Sequence, residues 1–571
     1  MWWRARSFTA LLGFFFMAAV CQAENNAQAS ECLKASQNRS ESFKFNHSDT
    51  HQMLAKKLPE TFTVGEVQLQ RFNIFDEQNP KENNRLFRWA NSFHSLTRES
   101  VIRSQLLFSS GELIEFRTLE ESERLLRNLK FIYDAKVRPY RICGDVVDIR
   151  VITRDVWTFT PSISFSRSGG SNNIDFALRD TSFLGTGKQL EFKRESDDDR
   201  SGYSVIYKDP AIMNSRYRAN IAYTDNDDGS AKLIEITRPF YALDVQWAGG
   251  IKLDEQERED SLHFRGKKIA EFDHELKSHG FFIGNSRGIV DNKTKRWLIG
   301  VQVEDHKFDF SDSAKPPEQL PKDRKQVYPW IGYQSIEDKY MEFENLRNQG
   351  RTEDVYVGET YRMRLGLSSE SLGASSEQLV FRGNYENVLK ADSLRVFDTT
   401  LTAEGSWDLD EDAFENLWVS AEAQYHRRQG DRWQLFGKLK LDYTRNLTVD
   451  RQLTLGGTNG LRGYEKHYQV GDRSFLFSVE ERYYSDLHIF NLIRVGGAVF
   501  IDAGRAWYND DTNPVFQSSN DGVLANFGIG LRLSSSRAEV GSVIHLDLAV
   551  PLNKDDDVDG MQWLVTVKNS F

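Results

Sequence analysis

Ala525-Asn526-Phe527-Gly528-Ile529-Gly530-Leu531-Arg532-Leu533 decides the fold. Apolar residues hold the odd positions, and Asn526, Gly528, Gly530 and Arg532 hold the even ones. A period of two is that of an extended strand, whose successive side chains point to opposite faces. The pattern recurs on both sides. Phe475, Phe477, Val479 and Tyr483 oppose Ser474, Ser478, Glu480 and Arg482; Ile544, Leu546, Leu548 and Val550 oppose His545 and Asp547. Trp563, Val565, Val567 and Phe571 oppose Gln562, Thr566, Lys568 and Ser570. From residue 157 onward helical signals nearly vanish, and segments of about ten alternating residues are separated by Gly/Asn/Asp turns or acidic loops.

So many strands in one chain need a way to dispose of unpaired edges. A soluble sandwich can alternate too, but in lipid no water reaches an open edge, so a spanning sheet must close. Mean hydropathy is −0.56 and aromatic residues make up 12% of the chain. Those values suit a transmembrane barrel with a polar lumen and aromatic girdles. The net charge of −11 argues against nucleic acid as a partner. The sequence closes on an aromatic residue, Phe571, within the last strand.

The first residues read as an export signal. Arg4 and Arg6 precede a largely apolar run at 8–20, and the small Ala23 marks the expected cut. The run falls short of the roughly 20 residues a spanning helix needs. Cys21 offers a lipoprotein alternative, disfavoured because Val20 before it is bulky. Residues 24–60 are polar and form a linker with a short helix at 51–58. Cys32 and Cys143 are then the remaining cysteines, either as one disulfide in an oxidising compartment or as two free thiols.

Residues 61–155 form a compact mixed domain. A strand at 64–75 leads through a polar loop to a helix at 97–107, and a second helix begins at Thr118. Thr118 and Glu121 have capping-box spacing, and Leu119, Leu125, Leu126 and Leu129 supply a buried stripe. Two strands close the unit. In the second, Val147, Ile149 and Val151 alternate with Asp148 and Arg150, as in a sheet wet on one face.

Leu455-Gly456-Gly457-Thr458-Asn459-Gly460-Leu461-Arg462-Gly463-Tyr464 lies in a long loop before the strand that starts near Arg473. Arg462 carried into a barrel interior needs carboxylates, best met by charge-assisted, two-pronged bonds. Glu480 stands on the polar face of its strand. Gly496, Ala498 and Gly504 share the face of Asp502 and leave room for a loop there. Taken alone, Arg462 would be a solvated loop residue; the three in order point to a loop locked in the lumen. Glu481 falls on the lipid face, which suits it only near the headgroups.

Leu461-Arg462-Gly463-Tyr464 resembles the Arg-Gly-aromatic signature of the BamA/TamA/TpsB superfamily of outer-membrane assembly and translocation proteins, the bacterial surface antigen family. Ser478-Val479-Glu480-Glu481-Arg482 and Phe500-Ile501-Asp502-Ala503-Gly504 resemble that family's motifs in strands twelve and thirteen. Residues 62–154 resemble a single polypeptide-transport-associated (POTRA) domain of strand, helix, helix, strand, strand. The resemblance implies a sixteen-stranded antiparallel barrel in the outer membrane, with residues 156–571 in the barrel and the POTRA-like domain in the periplasm. It implies insertion of polypeptides into the membrane, or their passage across it, without enzymatic chemistry or a cofactor. The first strand (157–167) and the last would meet at a seam, with Trp563, Val565, Val567 and Phe571 as its C-terminal side. Partners implied are unfolded outer-membrane or secreted polypeptides, membrane lipid and lipopolysaccharide, and accessory periplasmic proteins. The alternative is a passive porin or surface antigen.

Gly284-Asn285-Ser286-Arg287-Gly288 matches the Gly-x-Ser-x-Gly nucleophile pattern. That chemistry needs a strand-to-helix elbow, and no helical signal follows Ser286. The acidic runs 197–199 and 555–557 read as solvated loops ahead of calcium bridges to lipopolysaccharide. The scattered histidines have no spacing that suggests a metal site.

Overall fold

The computed structural model describes residues 32–34 and 56–568, apart from 169–170, 197–199, 313–314, 345, 347–351, 510–521, 539–542, 554–555, 557 and 559. The expected signal sequence, most of the linker and Phe571 lie outside the described residues.

Twenty strands follow one another around a closed, antiparallel ring, in which Gln562–Lys568 lies beside Phe159–Ser168. Fifteen precede the signature loop and five follow it, so that loop joins strands fifteen and sixteen. The expected sixteen is four too few. The short alternating segments upstream, among them Ser171–Asp180, Gln189–Ser196, Ser201–Asp209 and Arg218–Asn226, pair with their neighbours inside the ring. None is the loop hairpin that the smaller count requires. Two hairpins do lie outside the ring, Tyr340–Glu344 with Thr352–Tyr356 and Leu453–Leu455 with Gln469–Gly471.

The alternation sorts the wall. Asp502 pairs with Asn526, and both are fully buried inside; three positions on, Val499 pairs with Ile529, and both are exposed outside. Trp247, Trp297, Tyr333, Trp433 and Tyr483 lie toward one end of the strands, and Trp407, Phe414, Phe475 and Trp507 toward the other. Two aromatic belts are the mark of a barrel that crosses a bilayer. The strands Trp247–Phe264, Lys267–Val290 and Lys293–Phe310 have 18, 24 and 18 residues. A spanning strand needs roughly 9–11, so these three extend beyond the far belt.

The smaller domain sits at the near end. Its sheet contains β1 (Leu33–Lys34), β2 (Thr61–Phe72), β3 (Leu113–Glu115), β4 (Ile132–Cys143) and β5 (Val146–Asp155) in the order β1-β4-β5-β2-β3. β2 and β5 are parallel and the other pairs antiparallel. Helices α1 (Arg85–Phe93), α2 (Glu99–Gln105) and α3 (Phe116–Arg127) complete it. The expected order is present, with β1, α1 and β3 in addition. Asn84 caps α1 by accepting from the Phe87 amide at 2.9 Å. Phe62, Val64, Ile102, Leu119, Leu126, Ile132, Val147 and Ile149 form the core.

Three local expectations change. α3 begins two residues before Thr118, whose carbonyl accepts from Ser122, so Thr118 is no cap. Glu121 turns outward and accepts from the Leu243 amide of a barrel loop at 2.7 Å. Of the leucine stripe, Leu119 and Leu126 are buried, and Leu125 and Leu129 only half-buried. The second face of β5 is not wet. Asp148 is buried because Arg141 and the Glu66 amide bond to it, and Arg150 is buried over the Tyr140 ring. Cys32 and Cys143 are joined as a disulfide with Cα atoms 4.5 Å apart, which carries β1 onto the edge of β4.

Candidate functional site: a locked loop above a docked domain

The signature loop enters the lumen because its ends pack there. Leu455, Leu461, Tyr464 and Tyr468 form a buried cluster with Leu476, Ala506 and Leu524 of the wall. Within that frame Arg462 is fixed on three carboxylates. Its Nε and Nη2 reach the two oxygens of Asp502 at 2.8 and 2.7 Å. Nη1 reaches Glu480 at 2.8 Å and Asp547 at 3.4 Å. The guanidinium lies 3.4 Å from the Phe500 ring centroid, a cation–π contact on its remaining face.

The acids are themselves held. Ser478 and Asn526 donate to Asp502 at 2.6 and 2.9 Å, and Arg482 donates to Glu480 at 2.9 Å. Asp547 also pairs with Arg532. Three arginines thus face three carboxylates, so the buried network is formally neutral, the condition under which burying charge is tolerable. Gly463 is pressed against the wall: a Cβ there would stand 2.7 Å from the Cβ of Asn526. Its amide donates to the Asn526 side chain at 3.1 Å. The Tyr464 hydroxyl lies 2.9 Å from the Ala525 carbonyl and 2.5 Å from that of Asn553.

All five loop-lock residues read from the sequence, Arg462, Gly463, Tyr464, Glu480 and Asp502, are therefore brought together. Asp547, Arg482, Arg532 and Asn526 were not foreseen. Each is a polar residue at an inward position of an otherwise apolar alternation, which was the available signal. Glu481 is half-buried on the outer wall, opposite Leu435 and Val499 and just inside the Trp433–Tyr483 belt, with its carboxylate 3.4 Å from the Gln429 side chain of the turn at the domain end. Trp563 and Val567 face outward on the last strand and Val565 is half-buried.

At the near end α3 faces the barrel. Arg117 pairs with Asp244 and Arg124 with Asp338. Arg127 grips Asp354 through Nε and Nη2 at 2.7 and 2.5 Å and Glu342 at 2.9 Å, both on the hairpin outside the ring. Phe343, Leu346, Val355 and Val357 of that hairpin and the segment after it pack on Val396 at the foot of a barrel strand. Burial opposes ionisation of Glu123, but Arg138, Arg127 and Lys136 together hold its carboxyl below the usual range. Burial pushes the Glu121 carboxyl up.

Ser286 lies in the strand Lys267–Val290 and its hydroxyl is spent locally. It reaches the Lys295 carbonyl at 3.0 Å and accepts from the Gly288 amide at 3.1 Å, at an irregularity in the pairing. The strand-to-helix elbow of a nucleophile is absent there. Of the two acidic runs only Asp556 lies within the described residues.

A family described as the Omp85 superfamily domain matches residues 378–569. No curated protein matches the chain. Among solved structures, a BamA from Haemophilus ducreyi lacking POTRA domains 1–3 is similar at 13% identity, covering 88% of this chain and 84% of that one with a TM-score of 0.40. CdiB from Escherichia coli is similar at 12% identity, covering 96% and 92%, with a TM-score of 0.45. CdiB from Acinetobacter baumannii is similar at 10% identity, covering 89% and 73%, with a TM-score of 0.46.

Proposed function

We propose that this chain, which belongs to the Omp85 superfamily through the domain it carries at residues 378–569, inserts polypeptides into the outer membrane or passes them across it by strand pairing at the barrel seam. The observation that carries the reading is where the lock stops. Arg462 and Gly463 bond to residues on four consecutive strands, through Glu480, Asp502, Asn526 and Asp547. Among the described residues neither bonds to the last strand, Gln562–Lys568. That strand is seven residues long and is held by its pairing with Val543–Pro551 on one side and by the first strand on the other. Opening the seam between the last and first strands would expose backbone donors and acceptors to lipid, and an incoming strand would satisfy them.

The α/β domain lies in the periplasm in this reading and meets clients before the seam does. Its β4 edge already carries an added strand, Leu33–Lys34, at Ile142 and Arg141. The rest of that edge is partly closed, because Glu123 takes the Val137 amide and Pro139 has no amide hydrogen. β2 is flanked by β5 and by β3, so it is a poor receiving edge. The function is non-enzymatic. A passive pore fits less well, since the lumen holds the locked loop and the near mouth holds the domain and the hairpin.

Photo-crosslinking probes placed in intact cells at Trp563, Val565 and Val567, and at Tyr133 on β4, test the reading. Polypeptides captured at the seam, identified by mass spectrometry, are the expected result. A seam locked by an engineered disulfide that leaves activity intact would overturn it.

A further inference from the structure

Helix α1 has two apolar faces and the fold uses one. Phe87 and Ala90 pack on Ile74 and Phe75, with Trp157 and Leu492 of the barrel against the same cluster. The Phe75 and Phe87 rings stack with centroids 4.0 Å apart. On the second face Leu86, Trp89 and Phe93 follow one another at i, i+3 and i+7, and are 60, 55 and 68% exposed. The Trp89 and Phe93 rings lie 4.6 Å apart, so they form one patch. A contiguous patch of large apolar side chains marks a contact surface, where single exposed ones would not.

The place of the helix says what covers it. Asn491, in the turn between Arg473–Ile489 and Ile493–Trp507, donates to the Lys81 carbonyl at 3.3 Å. Arg537, before the strand Val543–Pro551, pairs with Glu82 at 2.6 Å. Trp157 enters the first barrel strand. The helix therefore sits on the near rim, beneath the C-terminal strands and the seam. At that rim the outer wall ends in Leu487, Phe490 and Ile493, all exposed, Phe490 by 80%. The patch on α1 is thus placed to continue the lipid-facing surface of the barrel. Lys81, Arg85 and Arg88 flank it with no ion-pair partner among the described residues, and the one acid of this stretch, Glu82, is taken by Arg537 and Arg154.

We infer that α1 is an interfacial anchor, its Leu86–Trp89–Phe93 face buried in the phospholipid leaflet at the domain end, with Lys81, Arg85 and Arg88 on the phosphates. Tryptophan and phenylalanine on one face with basic residues beside them is the composition of helices that lie in the headgroup boundary. The anchor holds the α/β domain against the membrane beside the seam, so the domain's orientation depends on lipid as well as on the ion pairs of α3. The inference rests on the barrel spanning a membrane, and the test separates the two.

Full-length protein is placed in nanodiscs of phosphatidylethanolamine and phosphatidylglycerol with the Cys32–Cys143 disulfide intact. Single cysteines Leu86→Cys, Trp89→Cys and Phe93→Cys carry a nitroxide, with Ser92→Cys on the helix and Ile529→Cys on the outer wall as references. Collision accessibility to oxygen and to a water-soluble nickel chelate is then measured. Labels at 86, 89 and 93 are expected to show an oxygen-to-nickel ratio several-fold above that at 92 and close to that at 529. Reversing charge with Arg85→Glu and Arg88→Glu is expected to lower the ratio at 93. Labels at 86, 89 and 93 as nickel-accessible as 92, with 529 in lipid, overturn the anchor alone. Protection that appears only on adding periplasmic proteins overturns it in favour of a protein partner. An aqueous label at 529 overturns the membrane reading and the anchor with it.

Discussion

Arg127 of α3 and Asp354 of the hairpin outside the ring meet in a two-pronged contact, with side chains only 7% exposed, across 227 residues of sequence. The pair joins the smaller domain to a segment that packs on the barrel wall. Removing the Asp354 charge leaves Arg127 with Glu342 and Glu123, so what is lost is chiefly the link to the second strand of the hairpin. We expect Asp354→Asn to raise amide hydrogen exchange in α3 and in Tyr340–Glu344 together, with little change in the far strands. Unchanged exchange in α3 would mean that Arg117, Arg124 and the remaining Arg127–Glu342 pair suffice to dock the domain.

Within the lumen the two-pronged contact with Asp502 is the main hold on Arg462. Arg462→Lys keeps the charge but loses the planar fork, and cannot reach three carboxylates at once. We expect Arg462→Lys and Asp502→Asn each to lower the urea midpoint of the folded barrel, followed by its gel mobility without heating. Asp547→Asn should cost at least as much, because, although its oxygen lies 3.4 Å from Nη1 of Arg462, its carboxylate is the acid paired with the fully buried Arg532. A clearly smaller loss for Asp547→Asn than for Asp502→Asn would refute that expectation.

The disulfide closes a loop of 111 residues. Loop-closure entropy gives such a bridge about 4–5 kcal/mol, on a chain-entropy account. We expect Cys32→Ser with Cys143→Ser to release the Leu33–Lys34 strand and lower the urea midpoint of the α/β domain, read by pulse proteolysis of full-length protein. Barrel mobility on gels should not change.

Burial holds the Asp134 carboxyl of β4 up at about 6, against an ordinary 3.8. The folded domain then binds a proton that the unfolded chain has already lost between those values. Domain stability should therefore fall as pH rises from about 4 to about 6 and level off above, a span on the order of 3 kcal/mol. Asp134→Asn removes the burden. It should raise the domain's urea midpoint at pH 7.5 and leave it nearly unchanged at pH 4.

Period-two alternation was enough to read the barrel, because each wall residue meets either lipid or the lumen and the chemistry of the two differs. Strand number was not readable in that way. Segments such as Ser171–Asp180 alternate equally well in a loop hairpin and in the ring, and only pairing distinguishes the two. The lock was legible in Arg462, Glu480 and Asp502, which stand in recognisable motifs. Asp547 and Arg532 carry no such motif, so their part depends on a register the sequence does not print. α1 was missed because Pro80, Asn83 and Asn84 read as loop, although Asn84 with Phe87, Ala90 and Asn91 spaced behind it was a cap and a buried face. The capping box at Thr118 failed for the opposite reason, since Glu121 had a stronger use in the Leu243 amide.

Every carboxylate that Arg462 meets comes later in the chain, at separations of 18, 40 and 85 residues. The loop consequently cannot seat itself as it emerges from synthesis. It must wait, cation unburied, until the strand carrying Asp547 has taken its place. Seating of the loop is therefore a late folding event and a check on completeness: a chain cut short before Asp547 would reach the membrane with the Arg462 guanidinium lacking one of its carboxylates and with Arg532 lacking the acid it pairs with. The order of residues along the chain thus times the final step of the barrel's own assembly.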